Sequence, residues 1–98
     1  LKLCADSIDI IEVFNARSPE PETRAQVEVF VDQNNIAKVA NSDAHGIKGF
    51  GCSYSIISEI PTAENLVRLL STAELVRRPA GFIAFLYPAF NRFKNQFL

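Results

Sequence analysis

Methionine and tryptophan are absent from this chain, histidine occurs once, and no aspartate or glutamate follows Glu74. Without methionine there is no initiator, and with Leu1 at its start the sequence is expected to be a piece of a longer protein. No charged-then-apolar leader opens it, and no apolar run approaches the roughly 20 residues that a membrane-spanning helix needs. Cys4 and Cys52 form neither a C-x-x-C pair nor a Cys/His cluster, so a zinc knuckle and a disulfide framework have no basis here. Thiols kept reduced in a cytoplasmic setting are the expectation. Charge sums to −1 but is unevenly placed. Residues 1–74 hold six Lys/Arg against eleven Asp/Glu, a net −5, whereas residues 75–98 hold Arg77, Arg78, Arg92 and Lys94 with no acid, a net +4. An acidic body without an aromatic-basic stripe argues against a sizeable nucleic-acid surface.

What is present is apolar enough to pack. Hydrophobic residues make up 48% of the 98, which suits one small domain with a modest core. Ser7 to Phe14 is β-branched and nearly continuously apolar, the mark of a strand buried on both faces in an α/β sheet. Ser18, Pro19, Glu20 and Glu22 then signal a helix start, with Ser18 as N-cap and Pro19 at the first helical position. Between Thr23 and Asn35 two periods compete. Val27, Val29 and Val31 alternate as in a strand, but Val27, Phe30, Val31 and Asn34 share a helical face, and the start signals and Asn34-Asn35 stop favour helix. Ile36 to Ala40 is a second strand and Cys52 to Ile57 a third. A further helix follows Pro61, with Thr62 as N-cap and Leu66, Val67, Leu69 and Leu70 as its apolar face. Residues 79–98 stand apart from the 1–78 body. Phe82, Phe85, Leu86, Phe90, Phe93 and Phe97 recur at helical spacing among basic residues, with Pro88 as a kink. Such an amphipathic tail either closes the domain against its own core or rests on a membrane surface or partner.

The densest chemistry lies at Asn41-Ser42-Asp43-Ala44-His45-Gly46, where the second strand runs out. In extended chain, residues i and i+2 point to one side, so Asp43 and His45 can converge on a single metal ion. Carboxylate oxygen with neutral imidazole nitrogen suits Zn, Mn or Fe. The same residue types also make an ordinary turn at a strand end. A catalytic metal takes about three protein ligands, so the remaining ones must come from elsewhere and this chain alone is not expected to catalyse anything.

With these residues in view, the chain resembles the C-terminal part of the PHP (polymerase and histidinol phosphatase) superfamily. Three stretches carry the resemblance: Asp9 to Arg17; Val39-Ala40-Asn41-Ser42-Asp43-Ala44-His45; and Gly49 to Ile57 followed by Pro61-Thr62-Ala63-Glu64. It spans about residues 6–80 and weakens in the tail. The resemblance implies the last β/α units of a distorted (β/α)7 barrel whose strand ends hold two or three divalent metals. It implies hydrolysis of phosphate esters, with a phosphorylated small molecule or nucleotide as substrate and nucleic acid only by family analogy. Asp43 and His45 become the last two metal ligands, and the N-terminal part of the barrel becomes a required partner. The family's earlier H-x-H and further ligands have no counterpart here.

Other residues divide between roles. Arg17, just past the first strand, can grip phosphate with its planar fork or pair with Glu20 or Glu22. Asn15 can orient substrate or satisfy its own turn, and Lys48 in the glycine-bearing loop is a further phosphate candidate. Glu12, inside an apolar strand, needs a partner if buried, Arg17 among the options. Ser42 stabilises the turn rather than acting as nucleophile, because no second histidine is available to activate it. Against the phosphoesterase reading stands a non-catalytic PHP-associated module for binding or assembly.

Overall fold

A computed structural model describes residues 2–18, 21–81 and 91–95. Lys2–Ser7 form a 3-10 helix, followed by β1 (Ile10–Asn15), α1 (Pro21–Gln33), β2 (Ala37–Asn41), β3 (Tyr54–Ile56), α2 (Leu66–Ser71) and β4 (Glu74–Val76). β1 and β2 pair in parallel, and β3 and β4 pair antiparallel as a second two-stranded sheet. The architecture is α/β, and among the described residues no barrel closes. Nor is any described helix long and apolar enough to cross a membrane.

β1, α1 and β2 form a strand-helix-strand crossover, the unit that parallel pairing demands. The competing periods in α1 are settled by burial. Val31 is fully buried and Val27 and Phe30 pack beside it, whereas Val29 is 55% exposed. The Asn34-Asn35 stop is a left-handed helix end: Asn35 has φ 53°, and Ile36 N–H donates to the Val31 carbonyl at 3.1 Å. Pro21 is the first helical residue of the described chain; the expected first position, Pro19, lies outside the described residues.

The first strand begins three residues later than expected and carries a register shift. Glu12 pairs with Val39 and Phe14 with Ala40, leaving Val13 as the extra residue. Two successive side chains are thereby buried in different clusters. Val13 meets Val31 and Ile36 under α1, and Phe14 meets Ala16, Ala40 and Ala80. Glu12 is exposed, so the expectation of a buried carboxylate seeking Arg17 is corrected: it accepts a 2.7 Å hydrogen bond from Asn41.

The second half is joined by serine hydroxyls. Ser55 Oγ accepts from Ala40 N–H at 3.0 Å and donates to the Ala40 carbonyl at 3.3 Å, tying β3 to β2. Ser53, buried, does the same for Arg78, at 2.8 and 2.7 Å. α2 starts at Leu66 with Asn65 as its cap, not at Thr62. Thr62 and Asn65 instead bond reciprocally one turn earlier, Asn65 N–H to Thr62 Oγ1 and Thr62 N–H to Asn65 Oδ1. Leu69 and Leu70 are buried as expected, while Val67 is exposed. β4 has no counterpart in the sequence reading. Arg77, just beyond it, grips Glu28 of α1 with two N–H donors at 2.8 and 2.6 Å. Those hydrogen bonds hold the Glu28 carboxyl below the usual glutamate value and push Arg77 up, and Lys38 of β2 stands 3.5 Å from the same carboxylate.

Cys4 and Cys52 are not joined in a disulfide. Most of the aromatic tail, Phe82 to Phe90, lies outside the described residues; residues 91–95 are helical and exposed.

Candidate functional site

Parallel pairing brings the C-terminal ends of β1 and β2 side by side. Asn15 and Asn41 are register partners, and Ala16 N–H donates to the Asn41 carbonyl at 3.0 Å, extending the ladder by one bond. The chain then leaves each strand through a tight polar segment. On β1 it turns at Ala16-Arg17, where Asn15 Oδ1 accepts from the Arg17 backbone N–H at 2.9 Å. That local bond is the turn an asparagine makes with the amide two residues on. On β2 it turns at Asp43, which has φ 49°, a left-handed conformation that aspartate and asparagine tolerate better than most residues.

These turns bring four of the five singled-out side chains together. Asn15 Nδ2 donates to Asp43 Oδ2 at 3.2 Å, so Asn15 serves its own turn and the carboxylate at once. Arg17 Nη1 lies 2.7 Å from His45 Nδ1 and 3.1 Å from His45 Nε2. His45 Nδ1 is also 2.8 Å from the Asp43 backbone oxygen, and 4.0 Å from Asp43 Oδ1. Lys48 is exposed in the turns after Gly46 and makes no described contact with the other four. Asn91 adds a member that the sequence did not signal: its Nδ2 donates to the His45 backbone oxygen at 3.1 Å, from 46 residues away.

Asp43 Oδ1 and His45 Nδ1 are two side-chain atoms of types that ligate divalent ions. Oxygen and nitrogen ligands of one ion, each about 2.0–2.2 Å from it, stand at most about 4.3 Å apart, and the 4.0 Å pair falls inside that limit. His45 Nδ1 stands between an acceptor, the Asp43 carbonyl oxygen at 2.8 Å, and a donor, the Arg17 guanidinium at 2.7 Å, and the two contacts call for opposite protonation of that nitrogen. Among the described residues, no group of three or more His, Cys, Asp or Glu side chains comes together to hold a metal. A separate cleft of about 340 Å³ opens beside β1, lined by Asn15, Ser18, Thr23 and Arg24 among others; it shares Asn15 with the cluster but neither Asp43 nor His45.

A family model described as PHP-associated matches residues 21–75, more than half of the chain, from the first residue of α1 into β4. Asp43 and His45 lie inside the matched stretch; Asn15, Arg17 and Asn91 lie outside it. No curated protein and no solved structure gives a match.

Proposed function

The chain belongs to the PHP-associated family, and on that premise we propose that it forms the C-terminal part of a metal-dependent phosphoesterase, with Asp43 and His45 as metal ligands. In this reading β1, α1 and β2 are consecutive parts of a distorted (β/α)7 barrel, and the remaining ligands come from the part of the barrel that precedes them. The observation that carries it is the convergence of Asp43, His45, Asn15 and Arg17 where two parallel strands end together. Ligands gather at the carboxyl ends of parallel strands because the loops there are free to vary while the sheet is not.

Each side chain has a role. Asp43 supplies the anionic ligand and Asn15 holds its second oxygen. His45 supplies a ring nitrogen beside the Asp43 carboxylate. Arg17 and, farther out, Lys48 bind the phosphate of a phosphorylated small molecule or nucleotide. A bound Mn, Zn or Fe ion supplies water activated near neutral pH and offsets charge on the phosphoryl group.

Calorimetric titration with Zn²⁺ of the longer protein that in this reading carries the remaining ligands tests the assignment, since two ligands alone do not hold a catalytic metal. Asp43→Asn is the informative variant at that position, because asparagine accepts the left-handed backbone and an alanine would add strain. Both Asp43→Asn and His45→Ala are expected to weaken binding by at least about tenfold while the thermal transition is kept. If both variants bind as the parent chain does, the metal assignment fails and the non-catalytic PHP-associated module takes its place.

A further inference from the structure

The chain after His45 folds into a run of tight turns that carries apolar side chains on its outside. Gly49 N–H donates to the Gly46 carbonyl at 3.2 Å, Phe50 N–H to the Ile47 carbonyl at 3.3 Å and Cys52 N–H to the Gly49 carbonyl at 3.4 Å, so residues 46–52 are closed on their own backbone. Gly49 is buried within this run, yet Ile47 is 84% and Phe50 81% exposed, with Lys48 exposed between them. A second exposed segment is tied to the start of the turns. Asn91 Nδ2 donates to the His45 backbone oxygen at 3.1 Å, which brings the helical residues Asn91-Arg92-Phe93-Lys94-Asn95 to this end of the molecule. Arg92 and Lys94 are exposed, and Phe93 is 60% exposed. Neither segment contains an acid, and the nearest one along the chain, Asp43, is engaged by Asn15 at 3.2 Å.

Single exposed apolar side chains are ordinary on a protein surface. Here Ile47, Phe50 and Phe93 alternate with Lys48, Arg92 and Lys94, and that mixture selects the partner. Lysine is depleted from the buried centres of protein interfaces, where its amine would lose its water. At a lipid surface the same mixture is favourable: apolar side chains enter the boundary between headgroups and acyl chains, while long basic side chains stay with anionic headgroups. Residues 1–74, at net −5, are repelled by such a surface, which turns this end of the molecule toward it. We propose that residues 46–52 and 91–95 form one docking surface that rests on an anionic membrane. The surface is independent of any metal at Asp43 and His45.

Co-sedimentation of the 98-residue chain with lipid vesicles tests this. Binding is expected to vesicles of phosphatidylcholine with about one-third phosphatidylserine, to be weakened by added salt, and to be at least about tenfold lower on phosphatidylcholine alone. Ile47→Ser/Phe50→Ser and Arg92→Gln/Lys94→Gln should each lower the partition coefficient at least about tenfold. All four side chains are exposed, so the thermal transition should be kept. Equal binding to both kinds of vesicle, or parental binding by either double variant, overturns the proposal. So does a chain that ignores vesicles but self-associates through Ile47 and Phe50, which would give the surface to a second copy. Should a double variant fail to fold, a reporter decides. The chain has no tryptophan, so Phe50→Trp supplies a single emission, expected to shift to the blue on anionic vesicles. An emission that stays put while the chain binds overturns the assignment.

Discussion

β1 and β2 are joined along five register pairs and covered by α1, whereas β3 and β4 share three pairs and reach β2 through the hydroxyl of one serine. The first region is held by aliphatic side chains under a helix, with Val13, Val31 and Ile36 at its centre. The second adds side-chain oxygens, Ser53 on Arg78 and Ser55 on Ala40, to the packing of Leu75 against both apolar clusters. Burial of apolar surface is non-directional and tolerates small shifts, while a hydroxyl serving one amide and one carbonyl demands its geometry. The candidate site grows from the tolerant region, and its polar side chains stand on backbone that the aliphatic core fixes.

Three substitutions sharpen or break this contrast, measured as unfolding free energies in urea. Val31→Ala, at a fully buried position, should cost about 2 kcal/mol through lost burial and a residual cavity. Ser53→Ala, at 3% exposure, should cost about 1–2 kcal/mol because it strands the N–H and carbonyl of Arg78. A Ser53 effect well above that of Val31 would reverse the ranking of the two regions. The smallest effect belongs to the pair that spans them. Glu28→Gln should cost no more than about 1 kcal/mol, since both partners are partly exposed. Its pH dependence has a definite sign. The carboxyl of Glu28 is held below its unfolded value, so the contribution is complete above the usual glutamate value and fades as pH falls through the lowered one. The difference between parent and Glu28→Gln should therefore shrink on acidification. A difference that is flat down to strongly acidic pH would remove the ion pair from the account.

Much of the first region was legible in the sequence because its signals are local. The β-branched run at Ile10-Ile11, the apolar face of α1 and the Asn34-Asn35 stop each act within one turn or one strand. The register shift at Val13 was not, since alternation along β1 carries no mark of how β2 will pair with it. Glu12 lies at the surface against Asn41. β4 escaped because three residues, Glu74-Leu75-Val76, are too few to show a period. At the candidate site, the proximity of Asp43 and His45 was legible from their spacing two residues apart. The Arg17 contact, 28 residues distant, and that of Asn91, 46 distant, depend on tertiary placement. Thr62 carried a true capping signal, but the turn it caps precedes α2 rather than beginning it.

Ser55 also stands where a strand neighbour of β2 would bond. Its hydroxyl occupies both the amide and the carbonyl of Ala40, so a strand approaching β2 from that side finds the ladder already closed at its middle. Among the described residues, β1 has a strand neighbour only on the side of β2. A strand added next to β1, whose end carries Asn15 and leads to Arg17, would leave that contact undisturbed.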